Sequence, residues 1–139
     1  AWAVPASVGV GRLSTLSEFE NEATNNEVDD WPWGTSADPT CDQAWLSDSS
    51  NVACASSIMV PATLPVCQRP LGNNGNHFCD LIGNVAELVK NNSGQYEAYG
   101  HAYDSERNNL TPNYSILLGT PSNTPQIGFR CYKEGPTWQ

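Results

Sequence analysis

Apolar positions recur at helical spacing in only one stretch of the chain. Leu16, Phe19 and Ala23 share a stripe, and Thr15 with Glu18 three residues on forms a capping box, so a helix is expected to start at Thr15. Glu18, Glu20 and Glu22 fall in its early turns, where the helix dipole favours acids, and Asn25-Asn26 ends it. Tyr96–Tyr103 and Gly128–Tyr132 mix aromatic and apolar residues in strand fashion. Val85 to Lys90 reads as the start of a short strand or turn. Ser57-Ile58-Met59-Val60 is the one strand-like run within the loop-rich 35–78. Residues 1–11 are small and apolar without a period. Leu71 to Asn76 is turn chemistry, and 104–126 is a long polar segment of the irregular kind. Trp31-Pro32-Trp33-Gly34 makes a rigid apolar corner, read as a plug under loops rather than a ligand platform. The sum is an α+β, loop-rich single domain over 1–139, with one capped helix and a small antiparallel sheet.

Composition narrows the partners. With a net charge of −9 and only six Lys and Arg, the 139-residue chain is a poor match for nucleic-acid phosphates. No apolar run reaches the ~18–20 residues of a membrane span, so no transmembrane segment is expected. Five cysteines point to an oxidising compartment: secreted, periplasmic or cell-surface. Cys41/Cys54 and Cys67/Cys79 each enclose a short loop and are the disulfide candidates, although spacing alone leaves the pairing open. Cys131 is then left over, unpaired or bonded to another chain. The spacings lack C-x-x-C, which argues against a zinc ribbon or a redox dithiol.

Candidate chemistry centres on Asp80 and Glu87, which bracket a turn containing Gly83 and Asn84. Calcium takes six to eight oxygens from carboxylates and carbonyls, and a glycine-bearing turn between acids can supply both. His101, Asp104 and Ser105 lie too close in sequence to build a hydrolytic triad.

Four short motifs in order carry a resemblance. Gly11-Arg12-Leu13-Ser14-Thr15-Leu16-Ser17-Glu18-Phe19-Glu20, Trp31-Pro32-Trp33-Gly34, Gly83-Asn84-Val85-Ala86-Glu87-Leu88 and Gly128-Phe129-Arg130 resemble those of the formylglycine-generating-enzyme (sulfatase-modifying factor) family. The resemblance implies a loop-rich variant of the C-type-lectin fold. It also implies a calcium site from the side chains of Asp80 and Glu87 and the carbonyls of Gly83 and Val85. The family's second calcium site needs an Asn about where Trp45 stands, and is not carried over. Active members bind copper with a cysteine pair. The matching positions fall near Ser105 and Leu110, neither of which is a thiol, so no copper and no catalytic residues are expected.

Family domains have a sizeable portion before the helix, where here only residues 1–11 precede Arg12. That portion also carries the usual partner of Cys131, at a place near Ala6. Beside the family's pattern the chain is expected to lack its N-terminal portion: either it is a fragment or another chain supplies the missing strands, and the leftover Cys131 points to such a partner chain. The leading expectation is a non-catalytic, calcium-stabilised extracytoplasmic binding or structural module, a subunit of a larger assembly. The alternatives are a lectin-like domain displaying a ligand surface within 99–123, with Tyr99, His101, Tyr103, Asn108, Asn109 and Tyr114 as candidates, and a divergent sulfatase-modifying oxidase.

Overall fold

The computed structural model describes residues 11–26, 28–34, 39–47, 63–107, 110–111, 113–119 and 124–132. The expected strand at Ser57–Val60 lies outside them.

Helix α1 (Leu16–Ala23) forms as its sequence predicts. Thr15 is the N-cap, and its hydroxyl accepts from the Glu18 amide at 3.2 Å. The Glu18 carboxylate accepts from the Thr15 amide at 2.8 Å. Arg12 grips the same carboxylate from outside. The helix stops where Asn25 and Asn26 turn left-handed, at φ 49 and 59.

Around α1 run two sheets. Strands β1 (Arg12–Leu13) and β6 (Cys131–Tyr132) pair antiparallel. Strands β2 (Ala86–Lys90), β3 (Tyr96–Tyr99), β4 (Ser115–Leu118) and β5 (Ile127–Gly128) form a second sheet in the order β4-β3-β2-β5. Its β2–β3 and β3–β4 pairs are antiparallel and its β2–β5 pair is parallel, so this sheet is mixed. Among the described residues the architecture is a small α+β domain with one α-helix.

Three expectations need correction in detail. The run Gly128–Tyr132 is not one strand: it divides between the two sheets, because Phe129 and Arg130 leave the ladder and the Arg130 side chain turns inward. The run Tyr96–Tyr103 ends as a strand at Tyr99, since Gly100 adopts φ 79 and its amide bonds Tyr114. The segment 104–126 is not wholly irregular, because β4 lies inside it. Its apolar residues run consecutively instead of alternating, and both Ile116 and Leu117 stay exposed at the sheet edge.

The core has two clusters that meet at Leu81-Ile82. Leu81 joins Phe19, Ala23, Val89 and Tyr99, with the Phe19 and Tyr99 rings 4.9 Å apart. Ile82 joins Trp31, Ala44 and Leu46. Trp31 is the core plug that the sequence predicts, and Trp33 packs on it from outside.

Candidate functional site

The segment from Cys79 to Glu87 is a turn held from every side. Asp80, Gly83 and Asn84 take positive φ values of 54, 80 and 60. Gly83 is required as glycine, since a Cβ there would stand 2.7 Å from the Trp45 carbonyl oxygen. Asn84 is buried and fully used. Its amide N–H donates to the Trp45 carbonyl at 2.9 Å, and its carbonyl accepts from Tyr103. Its side chain accepts from the Leu64 amide and donates to the Leu64 carbonyl. A disulfide joins Cys67 to Cys79, and the Cys67 amide donates to Asp80 Oδ2 at 2.7 Å. This bond bears out one of the two expected pairs. Cys41 is also disulfide-bonded, while Cys54 lies outside the described residues.

Glu87, first in line for calcium, has a different partner. Arg130 donates from Nε to one of its oxygens and from Nη2 to the other, and the same Nη2 donates to the Cys79 carbonyl at 3.0 Å. The guanidinium also lies over the rings of Phe19 and Phe78, at 5.6 and 5.9 Å. Burial pushes the Glu87 carboxyl above its ordinary range, against the pull of Arg130. Burial draws Arg130 down, but the hydrogen bonds and charge of Glu87 outweigh it and leave the guanidinium more firmly protonated. The residues therefore do not fit a calcium ion as they are arranged. Both Glu87 oxygens already accept from a cation, one Asp80 oxygen accepts from an amide, and a second positive charge would be repelled by Arg130. The role of Arg130 is not legible in the Gly128-Phe129-Arg130 motif, because its partner Glu87 lies 43 residues away. One signal for it was a lone arginine between Phe129 and Cys131 in a chain with six basic residues.

A cavity of about 240 Å³ opens beside this pair, lined by Val66, Asp80, Val85, Glu87, Phe129 and Arg130 among others. Val66 and Phe129 are 73% and 55% exposed. Cys131 carries a free, exposed thiol one residue past Arg130, and its side chain packs against Gly11.

The expected display surface is divided. Tyr99 is buried in the core, with its hydroxyl donating to Asn113 Oδ1 at 2.7 Å, and burial pushes its ionisation up. His101 is buried and stacks on Tyr114, with ring centroids 4.7 Å apart. Its Nε2 lies 3.1 Å from the Thr111 carbonyl, and burial pulls its pKa down. Both residues anchor the loop from within and are not display positions. Tyr103 is half-buried and Tyr114 is exposed, while Asn108 and Asn109 lie outside the described residues.

The three residues nearest to a hydrolytic set are each engaged elsewhere. Ser105 Oγ accepts from the Ala102 amide at 3.1 Å, His101 meets Thr111, and Asp104 accepts from Gln126 at 3.1 Å.

The chain is similar in fold to the solved structure of CarF, with a TM-score of 0.53 over 87% of its length and 21% identity. It spans 46% of that chain, so the likeness concerns part of a longer protein and concerns the fold alone. No protein-family model matches the chain, and no curated protein matches it significantly. The Cys67–Cys79 disulfide stands, and among the described residues no helix is long and apolar enough to cross a membrane.

Proposed function

We propose that this chain is a non-catalytic binding or structural module, extracytoplasmic, on a formylglycine-generating-enzyme type of C-type-lectin-like fold. The observation that carries the non-catalytic part is the separate engagement of Ser105, His101 and Asp104. Each spends its polar atom on holding the 101–114 loop or its neighbour, so no relay runs between them. A serine at one expected copper-ligand position adds to this, because Cu(I) needs soft thiolates.

Its binding face is the surface of Val66 and Phe129 beside the Arg130–Glu87 pair, and the occupant is a second protein chain. Two large apolar side chains left in water at the mouth of a cavity favour an apolar partner surface. The exposed Cys131 thiol nearby can cross-link such a partner in an oxidising compartment. Order in the module rests on the Arg130 clasp and the Cys67–Cys79 disulfide rather than on calcium.

The non-catalytic part is tested by incubating the purified chain with Cu(I), oxygen and a cysteine-bearing peptide. Oxygen uptake no greater than that of the same copper–peptide mixture without protein supports it. Saturable turnover above that background contradicts it.

A further inference from the structure

Strand β4 is an outer strand of the four-stranded sheet. Its inner side pairs with β3 in an uninterrupted register, from Tyr99 opposite Ser115 to Tyr96 opposite Leu118. One further bond fixes which groups face which way. The Gly100 amide donates to the Tyr114 carbonyl at 2.9 Å, one step beyond the strand in the same register. Bonded and unbonded pairs alternate along an antiparallel ladder, so Ala98/Ile116 and Tyr96/Leu118 are bonded pairs. Ser115 and Leu117 belong to unbonded pairs, and their N–H and C=O groups face away from β3. Gly119 comes next on that side. Among the described residues nothing bonds the outward groups of Leu117.

Open edges recruit other strands, and natural ones are guarded by charges, prolines or bulges. Strand β4, which reads Ser-Ile-Leu-Leu, has none of these. Ile116 is 48% exposed and Leu117 is 57% exposed, one on each face of the sheet. The other outer strand, β5, is only two residues long and offers far less.

The outward set suits an identical strand. A two-fold axis through Leu117, perpendicular to the sheet, places Leu117 opposite Leu117 of a second copy. Ser115 then falls opposite Gly119, and Ile116 opposite Leu118. Outward groups meet outward groups, in up to about six backbone hydrogen bonds. Ile116 meets Leu118 on one face and two leucines meet on the other, so the central cross-edge pairs are apolar. A Cβ at Gly119 would meet nothing within 4 Å, so the approach at that end is open. A charged partner strand would find no countercharge on β4 itself. Nor does the acidity of the chain oppose self-pairing here. Glu97, across β3 from Leu117, has its oxygens accepting from Asn91 and Ser115. In the pair of copies the two Glu97 residues stand three strand spacings apart, about 14 Å, beyond the screening length of about 8 Å at physiological salt.

We propose that the chain forms a two-fold dimer by antiparallel pairing of β4 with β4 of a second copy, which joins the two sheets into one. Phe129 follows β5 at the opposite edge of the sheet, so this contact is separate from the face at Val66 and Phe129.

The test is sedimentation equilibrium in about 0.15 M salt, from about 5 μM to about 1 mM chain. A Cys131→Ser background removes intermolecular disulfides without reductant. The expected apparent mass rises with concentration towards twice that of the chain. Leu117→Lys, which sets two ammonium groups face to face at the axis, should move the midpoint at least about tenfold higher. Phe129→Asp should leave it in place. Amide exchange in the unmutated background reads the register without any change to β4. The Leu117 amide should exchange at least about tenfold more slowly in concentrated than in dilute samples, while Ile116 and Leu118, bonded to β3 in both states, are slow throughout. A single-chain mass over the whole range leaves the edge to another protein and overturns the proposal. So does a dimer that Leu117→Lys does not weaken, or a Leu117 amide that exchanges equally fast at both concentrations.

Discussion

Arg130 and Glu87, 43 residues apart in sequence, face each other as a two-armed ion pair beside the 79–87 turn. The pair ties the segment after β5 to the start of β2, and its Cys79 contact ties both to the disulfide-bonded turn. Removing one partner leaves a buried charge uncompensated. Arg130→Met should therefore cost about 3–5 kcal/mol in urea unfolding. The double variant Glu87→Gln/Arg130→Met should recover much of that loss, because no charge is then stranded.

The same pair determines the response to metal. With Glu87 held by Arg130, the melting temperature should be equal in calcium and in chelator. Asp80→Ala should lower it in both buffers alike, by removing the carboxylate that accepts from the Cys67 amide. Differential scanning calorimetry of parent and variant in both buffers checks this. A chelator effect that disappears in Asp80→Ala would restore the calcium reading.

Helix α1 gives a pH signature. Hydrogen bonds from Arg12 hold the Glu18 carboxyl down at about 2, against partial burial and with help from Thr15. A carboxyl whose folded pKa is depressed stabilises the fold above its unfolded value and loses that contribution as pH falls through the folded one. The window therefore runs from about 4.5 down to about 2. Thermal melts of the parent and Glu18→Gln should differ at neutral pH and converge across that window. Thr15→Ala, which removes the cap hydroxyl, should cost about 1 kcal/mol at pH 7.

What the chain reveals of itself in sequence follows from the range of each interaction. The capping box, the Asn25-Asn26 stop and the Trp31 plug are local, and each forms as its pattern predicts. The 79–87 turn was visible from Asp80, Gly83 and Asn84, whose residue types tolerate positive φ. Its chemistry was not, because the partner of Glu87 sits at Arg130 and no local pattern connects the two. Strand β4 escaped because Ile116-Leu117-Leu118 does not alternate. Tyr99 and His101 looked like surface residues because polar tips mark them so, yet both are buried and each tip finds an acceptor, on Asn113 and Thr111.

Two covalent and steric constraints on the turn can be probed separately. Cys67→Ser/Cys79→Ser opens a loop with a sequence separation of 12 and should cost about 3 kcal/mol. Gly83→Ala meets both a left-handed backbone and the Trp45 carbonyl, and should cost more than about 1 kcal/mol. Both are read by chemical unfolding, the first under non-reducing conditions.

The central claim, a non-catalytic module that works against a partner protein, is tested most directly by native mass spectrometry. The chain would be isolated from its source without reductant, and metal content read on the same sample. The account predicts a complex with a second polypeptide and no copper, and loss of that complex when Phe129 is changed to Asp. A lone chain carrying copper would contradict it.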